Sequence, residues 1–251
     1  MNSDLLEILI KFVNCFIIMV KIKKQKTQKD DSLFESNDAL AGKLSSYEEL
    51  FEKNKKQFSV IFSFIILIVA FFGIGSYYIS SQNKLAQEDM FQAVYYFESD
   101  SLVKALNGDG NNYGFLEIID EYSYTKAANM SNYYAGVSYL KLKNYDNAIN
   151  YLKSFSSNDE LIQARSYSLI GDAYTELEDY QNAITFFKKA VNYNPNEFLT
   201  PNYLLKLALV YEELENFNEA YKCYSKIVDL YKDSSEYQIS IKNKSRLEGL
   251  I

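Results

Sequence analysis

The segment "GDAYTELEDYQNAITFFKKAVNYNP", residues Gly171 to Pro195, has a regular spacing of small and aromatic residues. Its central window, "LEDYQNA" at Leu177, has two counterparts in the chain, "LKNYDNA" at Leu142 and "LENFNEA" at Leu214. The three windows start 35 and 37 residues apart. Self-similarity at such a period is typical of stacked helix-turn-helix units, so the chain is predicted to contain several of them.

Each copy has the same residue types at fixed distances from the alanine that ends the window. In the middle copy that alanine is Ala183, with a small residue, Gly171, twelve positions before it and a large apolar residue, Phe187, four positions after it. Small residues at a helix crossing let two helices approach to the short end of the usual separation of about 8–10 Å. Neighbouring aromatic side chains then fill the space beside the crossing. The spacing therefore predicts pairs of closely packed antiparallel helices.

A polar residue lies where the chain turns between the two helices of each pair. Asparagine and aspartate tolerate left-handed backbone geometry and bond to nearby backbone groups, which suits a tight turn. Pro195 cannot continue a helix and is predicted to follow the end of the second helix of the middle pair. The predicted turn residues are Asn144, Asp179 and Asn216.

This pattern resembles the tetratricopeptide repeat, a unit of about 34 residues with the motif W-x2-L-G-x2-Y…A-x3-F…P. The best copy runs from Ala164 to Asn196 and lacks only the tryptophan. The resemblance implies repeats at residues 126–162, 163–199 and 200–234 that stack into an α-solenoid. The residues of the best copy at the motif offsets are Tyr167, Ile170, Gly171, Tyr174, Ala183, Phe187, Ala190 and Pro195.

A degenerate unit is predicted at residues 84–125, before the three clear repeats. Ala93, Tyr96 and Ala105 reproduce the same offsets, but the second helix is then interrupted by "NGDGNN" at 107–112. Residues 235–251 are more polar and are predicted to form a helix that caps the exposed end of the stack, as solenoids require.

A long apolar segment precedes the repeats. The 27 residues between Lys56 and Lys84 carry no charge. A stretch of 22 apolar residues spans about 33 Å as a helix, which matches the hydrocarbon core of a bilayer. The sequence therefore predicts a transmembrane helix at residues 58–80. The predicted fold class is all-α, with a single N-terminal transmembrane helix followed by an α-solenoid of tetratricopeptide helix-turn-helix repeats.

The orientation of this span follows from the distribution of lysines. Lys53, Lys55 and Lys56 precede the span, whereas only Lys84 follows it before Lys104. The positive-inside rule then predicts a cytoplasmic N-terminus and a periplasmic repeat domain in the bacterial inner membrane. Because no cleavage pattern follows the span, it is interpreted as an uncleaved signal anchor.

The N-terminal tail, residues 1–57, allows more than one interpretation. Residues 5–20 are apolar but contain Glu7, Lys11 and Asn14, so they fit an amphipathic helix at the membrane surface better than a second span. A translation start at Met19, with residues 1–18 not translated, is an alternative. Residues 27–50 are polar and are predicted to be a flexible cytoplasmic tail.

Composition excludes most familiar catalytic and nucleic-acid-binding classes. The chain has no histidine, which removes the commonest general base and zinc ligand. Residues 81–251 contain 16 basic and 24 acidic residues, an unfavourable balance for binding phosphates. Cys15 and Cys223 form no CxxC pair and are predicted to be structural. We therefore expect no catalytic residue, no metal and no cofactor, and no nucleic acid or small molecule as a ligand.

Two polar features could suggest chemistry but have simpler explanations. The "NGDGNN" loop places Asn112 and Ile118 where a calcium loop needs glycine and glutamate, so it is predicted to be an inserted turn. Carboxylate clusters on the helices are predicted to be solvated faces, because nothing in the sequence indicates apolar enclosure. These clusters are Glu117, Asp120 and Glu121, and Glu212, Glu213 and Glu215.

The resemblance to peptide-binding repeats implies an interaction groove on the first helix of each repeat. The lysine and asparagine clamp that some of those proteins use for a terminal carboxylate is absent at these positions. A groove of mixed apolar and acidic character suits an extended or helical apolar segment of a partner protein, including one with basic residues. The implied groove residues are Tyr133, Val137 and Leu140 in the first repeat, Arg165, Ser168, Asp172 and Thr175 in the second, and Leu205, Leu209 and Glu212 in the third.

The order of cytoplasmic tail, signal anchor and exported repeats, over roughly residues 50–251, resembles the YfgM-like proteins of the bacterial inner membrane. That resemblance implies a non-catalytic, membrane-tethered adaptor associated with the SecYEG translocon and periplasmic chaperones. Three alternatives remain open at this point: a scaffold for envelope or cell-division assemblies, an enzyme with an unrecognised carboxylate site, and a repeat domain that faces the cytoplasm as an import receptor would.

Overall fold

The computed structural model describes residues 55–251, which form ten α-helices and no strand. The all-α prediction is therefore confirmed for this part of the chain. The predictions for the tail before residue 55, including Cys15, the 5–20 segment and the Met19 start, lie outside the described residues. The helices are α1 Lys55–Glu98, α2 Leu102–Asn107, α3 Phe115–Glu121, α4 Lys126–Lys141, α5 Tyr145–Ser154, α6 Glu160–Glu176, α7 Tyr180–Asn192, α8 Thr200–Glu213, α9 Phe217–Leu230 and α10 Tyr237–Leu247.

The chain divides into two units, Met1–Val69 and Ala70–Ile251. In the first unit, the described residues belong to α1 and are helical throughout. The second unit contains the remainder of α1 and all of α2 to α10, and the candidate functional surface lies entirely within it.

Helix α1 is the one helix of the described chain that is long and apolar enough to cross a membrane. The candidate span lies within Ser63–Glu98, and no residue of its most apolar window is buried by protein. Its length and composition suit the predicted span at 58–80, while its orientation stays a prediction. The sequence suggested a boundary between residues 80 and 84, but α1 continues unbroken to Glu98. The apolar segment and the first helix of the 84–125 unit are therefore one helix.

The turn inside each helix pair is built differently from the prediction. Asn144, Asp179 and Asn216 were expected to supply left-handed backbone, but the residue before each of them does so, with φ of 60°, 59° and 55°. The asparagine or aspartate instead caps the second helix, and the Asp179 carboxylate accepts from the Asn182 N–H at 3.2 Å. An N-cap residue has a non-helical backbone with negative φ, and Asn144, Asp179 and Asn216 have φ of −94°, −84° and −85°. The left-handed residue of the turn is therefore the one before each cap. The residues with positive φ are Lys143, Glu178 and Glu215.

The predicted close approach of paired helices is confirmed, and the nearest neighbour of the small residue is the large apolar side chain of the second helix. A Cβ added to Gly171 would lie 2.8 Å from the Phe187 ring, and one added to Gly136 would lie 2.5 Å from Leu152 Cγ. The glycine thus makes room for the large apolar side chain of the second helix, while the nearby alanine, Ala183, is fully buried. The spacing in the sequence encodes a large side chain packed against a bare backbone.

The core runs through the repeats in three clusters. One lies between α6 and α10 and includes Phe187, Tyr224 and Leu247; a second joins α4 and α5 to α6 and α7. The third fills the 84–125 unit, where Phe115 and Ile118 of α3 pack with Ala93 of α1. Each cluster draws side chains from successive helices, so neighbouring repeats stabilise one another.

The "NGDGNN" loop closes on itself through Asp109. The Asp109 carboxylate accepts from the N–H groups of Asn111 and Asn112 at 2.9 and 2.8 Å, and from the Tyr96 hydroxyl at 2.7 Å. The hydrogen bond from Tyr96 and those from the two backbone N–H groups lower the pKa of Asp109. The loop is therefore a turn attached to α1, and Asp109 already uses both of its oxygens within the chain.

Candidate protein-interaction surface

The surface of interest is formed by the first helices of the three repeats, α4, α6 and α8. We call it the first-helix surface and define it by the ten groove residues implied by the sequence. Helices α4 and α6 contact one another, and α6 and α8 are joined by an ion pair. Whether this surface binds a partner stays a prediction, but the environment of each residue follows from the structure.

On α4, one of the three predicted residues is buried and the other two are only partly exposed. Tyr133 is buried, and its ring centroid lies 5.2 Å from that of Phe155. Burial raises the pKa of Tyr133, with an opposing effect of Arg165 nearby. Val137 and Leu140 are half-buried against the same cluster and expose only part of their side chains.

On α6, the four predicted residues differ in accessibility. Arg165 is exposed, whereas Ser168 is buried and its hydroxyl has no hydrogen-bond partner. The Thr175 hydroxyl donates to the Gly171 carbonyl at 2.9 Å and so satisfies its own helix. Asp172, the fourth residue, is paired with α8. Arg165 is thus the most accessible polar group that α6 contributes.

The acidic character expected of this surface is largely neutralised within the chain. The Lys206 ammonium donates to the Asp172 carboxylate at 2.7 Å and joins α8 to α6. Burial raises the pKa of Asp172, and Lys206 opposes that rise. A carboxylate held in this way offers little attraction to a basic partner residue.

Glu212 has a structural role and is not the solvated carboxylate that the sequence suggested. It accepts from the Tyr224 hydroxyl at 2.7 Å and forms an ion pair with Arg246 of α10. The pKa of Tyr224 is raised by burial and by this hydrogen bond. Because its oxygens face α9 and α10, Glu212 connects the last repeat to the terminal helix.

The accessible part of the surface is mainly apolar. Leu209 on α8 exposes 48% of its surface, and Leu205 is half-buried against the core of that repeat. Together with Val137 and Leu140 of α4, these side chains are the partly exposed apolar positions of the surface, and the predicted residues of α6 between them are polar. Partly buried apolar side chains held on rigid helices suit contact with an apolar segment of another protein.

Three residues that shape this surface were not predicted from the sequence: Tyr203, Lys206 and Arg246. Tyr203 is 3% exposed, its hydroxyl has no partner, and burial raises its pKa to about 12. Asp172 and Lys206, and likewise Glu212 and Arg246, are 34 residues apart. Opposite charges separated by one repeat length were therefore the signal that could have revealed both ion pairs.

No group of three or more histidine, cysteine, aspartate or glutamate side chains converges on a metal-binding geometry within residues 55–251. Cys223, predicted to be a structural residue, is buried and reduced, and burial raises the pKa of its thiol to about 11. A thiol with a raised pKa forms little of the reactive thiolate at neutral pH. The surface described above offers contacts for binding.

The repeats match known family models. Tetratricopeptide repeat models match residues 164–197, 131–159 and 203–234. These segments are tetratricopeptide repeats. They coincide with the pairs α6 and α7, α4 and α5, and α8 and α9, so the resemblance stated from the sequence is confirmed at this level. Such repeats mediate protein–protein interactions through the surfaces that their stacking creates.

Solved structures share this fold at low sequence identity. The TPR-like repeats of a Podospora anserina protein assigned as a kinesin light chain have a TM-score of 0.52 at 13% identity, with 67% of this chain and 86% of that chain covered. RapI in its apo form has a TM-score of 0.52 at 21% identity, with 67% of this chain and 48% of that chain covered.

The MamA RS-1 ArsTM double mutant has a TM-score of 0.50 at 20% identity, with 60% of this chain and 77% of that chain covered. At these identities the likeness establishes the solenoid fold alone. No curated protein is significantly similar to the chain.

Proposed function

We propose that the protein is a non-catalytic, membrane-tethered adaptor whose first-helix surface binds other proteins on the exported side of the bacterial inner membrane. The observation that carries the proposal is the set of partly exposed apolar side chains on α4 and α8, with Leu209 the most accessible. The neighbouring carboxylates Asp172 and Glu212 are already paired within the chain. The partner segment is therefore apolar, and a basic partner is no longer favoured.

A membrane tether would favour binding of the repeats to partners at the same membrane. The exposed apolar length of α1 supports a membrane anchor, which would confine the repeats to the membrane plane. Confinement raises the effective concentration of the first-helix surface toward membrane-associated partners, so modest affinity suffices. By its resemblance to YfgM-like proteins, we propose the translocon and the periplasmic chaperones that act near it as partners.

Affinity capture from solubilised membranes tests the binding surface. We expect Leu209→Asp to reduce recovery of the partner by about tenfold, because a charge would face the apolar segment. Leu177→Asp is the matched control, since Leu177 exposes 40% of its surface at the turn between α6 and α7. Equal recovery with both variants contradicts the proposal. Recovery of division or outer-membrane proteins without translocon subunits would instead favour an envelope scaffold.

Protease protection tests the orientation separately. In intact spheroplasts, trypsin is expected to cleave the repeat domain at exposed turn lysines such as Lys143, between α4 and α5. Cleavage only after the membrane is ruptured would place the repeats in the cytoplasm and would support the import-receptor alternative.

A further inference from the structure

The apolar segment of α1 ends within the helix, close to two exposed tyrosines. Between Phe71 and Ile79 every large side chain is apolar or aromatic and exposed, with Tyr77 and Tyr78 near the end of this stretch. The next residues are polar, and Lys84 carries the first charge. If α1 spans a bilayer, the interface therefore falls close to Tyr77 and Tyr78, where aromatic residues are favoured.

The first inter-repeat loop is fixed to α1 just beyond this point. The Asn83 side-chain oxygen accepts from the Ala127 N–H at 3.0 Å. The Tyr122 hydroxyl donates to the Asp89 carboxylate at 2.5 Å, which raises the pKa of Tyr122 to about 12. Asn83 follows Tyr78 by five residues, or about 7.5 Å along a helix. Asp89 follows Tyr78 by eleven residues, so the loop at residues 123–125 is held beside α1 between about 7.5 and 16.5 Å beyond Tyr78 along the helix.

Tyr124, in the middle of this loop, has an exposure that the fold does not explain. It is 89% exposed, although its neighbours are well engaged. Thr125 caps α4 by accepting from the Ala128 N–H at 3.1 Å and donates its hydroxyl to the Tyr122 carbonyl at 2.8 Å. The loop backbone is therefore ordered, and it presents an aromatic side chain away from the protein.

We infer that Tyr124 lies in the phospholipid headgroup region together with Tyr77 and Tyr78, so that the first inter-repeat loop is a second membrane contact. A tyrosine ring is favourable there because its apolar body meets the acyl boundary while its hydroxyl stays hydrated. The exposed Lys126, two residues on, can extend its ammonium toward lipid phosphates. This inference rests on the proposed function, since it requires α1 to be the anchor.

A second contact changes what the anchor does. A single spanning helix leaves the attached domain free to rotate about the helix axis. Contact at Tyr124, which lies off that axis, restricts rotation and holds the first-helix surface at one orientation to the membrane plane. Restricting rotation lowers the entropy that binding to another membrane protein would otherwise cost.

The chain contains a matched control for this position. Phe198, in the loop before α8, is 88% exposed and is likewise an aromatic residue that precedes a first helix by two positions. Helices α4 to α7 separate it from α1 in the chain, and within the described residues no hydrogen bond between side chains or loops links its loop to α1. Phe198 therefore shares the accessibility of Tyr124 without the attachment beside Tyr78.

The absence of tryptophan from the sequence makes a direct test feasible. Three full-length variants, Tyr78→Trp, Tyr124→Trp and Phe198→Trp, each carry one tryptophan and are reconstituted into phosphatidylcholine–phosphatidylglycerol vesicles with lipids brominated near the carbonyl group. We expect bromine to quench the tryptophan fluorescence of Tyr78→Trp and Tyr124→Trp. Quenching of Phe198→Trp should be weaker by a factor of about three or more. Because both loop side chains are exposed, neither loop substitution should disturb folding.

The outcomes separate the two proposals. Quenching of Tyr78→Trp, with Tyr124→Trp no more quenched than Phe198→Trp, overturns the second contact and leaves the anchor standing. Failure to quench Tyr78→Trp overturns the anchor itself, and the second contact with it. Strong quenching of Tyr78→Trp and Tyr124→Trp alone supports both.

Discussion

The second repeat, α6 with α7, and the unit at residues 84–125 share one turn but differ in their second helices. Glu178 and Asp100 occupy the same turn position, with φ of 59° and 56°. The residue four positions after the buried alanine is Phe187 in the second repeat and Asp109 in the 84–125 unit. There, Phe115 and Ile118 of α3 fill the core instead. The turn persists because its hydrogen bonds are local, whereas the second helix depends on its packing.

The largest expected effect comes from removing the packed ring of the complete repeat. Phe187→Ala should lower the free energy of unfolding by about 4 kcal/mol, because it leaves a cavity against Gly171 in the core. Thermal unfolding of the full chain in detergent measures the change. Phe198→Ala, at an exposed phenylalanine, is the control and should leave the midpoint unchanged. Similar losses in both variants would refute the packing assignment.

A smaller effect is expected where the bare backbone meets that ring. Gly171→Ala places a Cβ 2.8 Å from Phe187 and should cost about 2 kcal/mol. Gly249→Ala, where the nearest atom lies at 4.0 Å, serves as the control in the same unfolding assay. Combining Gly171→Ala with Phe187→Leu should cost less than the sum of the two single changes. Strict additivity would mean that the two positions do not touch.

The helix caps differ between the two turns. Asp179→Ala should cost about 1 kcal/mol, because the carboxylate caps α7. Ser101→Ala, at the equivalent turn of the 84–125 unit, should be nearly neutral, since that hydroxyl makes no capping bond. Urea unfolding of both variants distinguishes them, and equal losses would show that the two turns are capped alike.

The smallest expected effect concerns the ion pair between α6 and α8. Lys206→Met should cost about 0.5 kcal/mol near neutral pH, because Asp172 loses its partner in a partly buried site. Since the pKa of folded Asp172 is raised, the carboxyl is protonated at low pH and the cost vanishes there. The cost should grow as the pH rises through that raised pKa, above the ordinary 3.8.

The control for this pH dependence is Lys141→Met, whose partner Asp100 is largely exposed. It should change stability less than Lys206→Met at every pH. A pH-independent loss in Lys206→Met would mean that Lys206 stabilises the fold through its methylene groups and not through its charge.

The helix pairs could be predicted from the sequence because their signals are local and repeated. The positions of Gly171, Ala183 and Phe187 express packing between helices that are close in the chain, and Pro195 follows the end of α7 at Asn192. The turn was located correctly, but its left-handed residue, Glu178, was assigned one position too late. A cap and a left-handed residue are neighbours, and composition alone favours aspartate for both roles.

The charge pairing on the first-helix surface could not be predicted because it depends on contacts between repeats. Asp172 and Glu212 look accessible on a single helix, and only the next repeat shows that Lys206 and Arg246 pair with them. The unbroken passage of α1 from its apolar segment to Glu98 was missed for a similar reason. A change of composition near residue 80 suggests a boundary, whereas backbone hydrogen bonding continues across it.

Photo-crosslinking in intact membranes determines whether the first-helix surface is the docking face. A benzophenone amino acid is placed at Leu209 of α8 in one variant and at Leu177, in the turn between α6 and α7, in another, two leucines of comparable exposure. The account predicts a discrete protein adduct from position 209 that is absent from position 177. The same adducts at both positions, or none at position 209 in membranes that contain the captured partner, would contradict it.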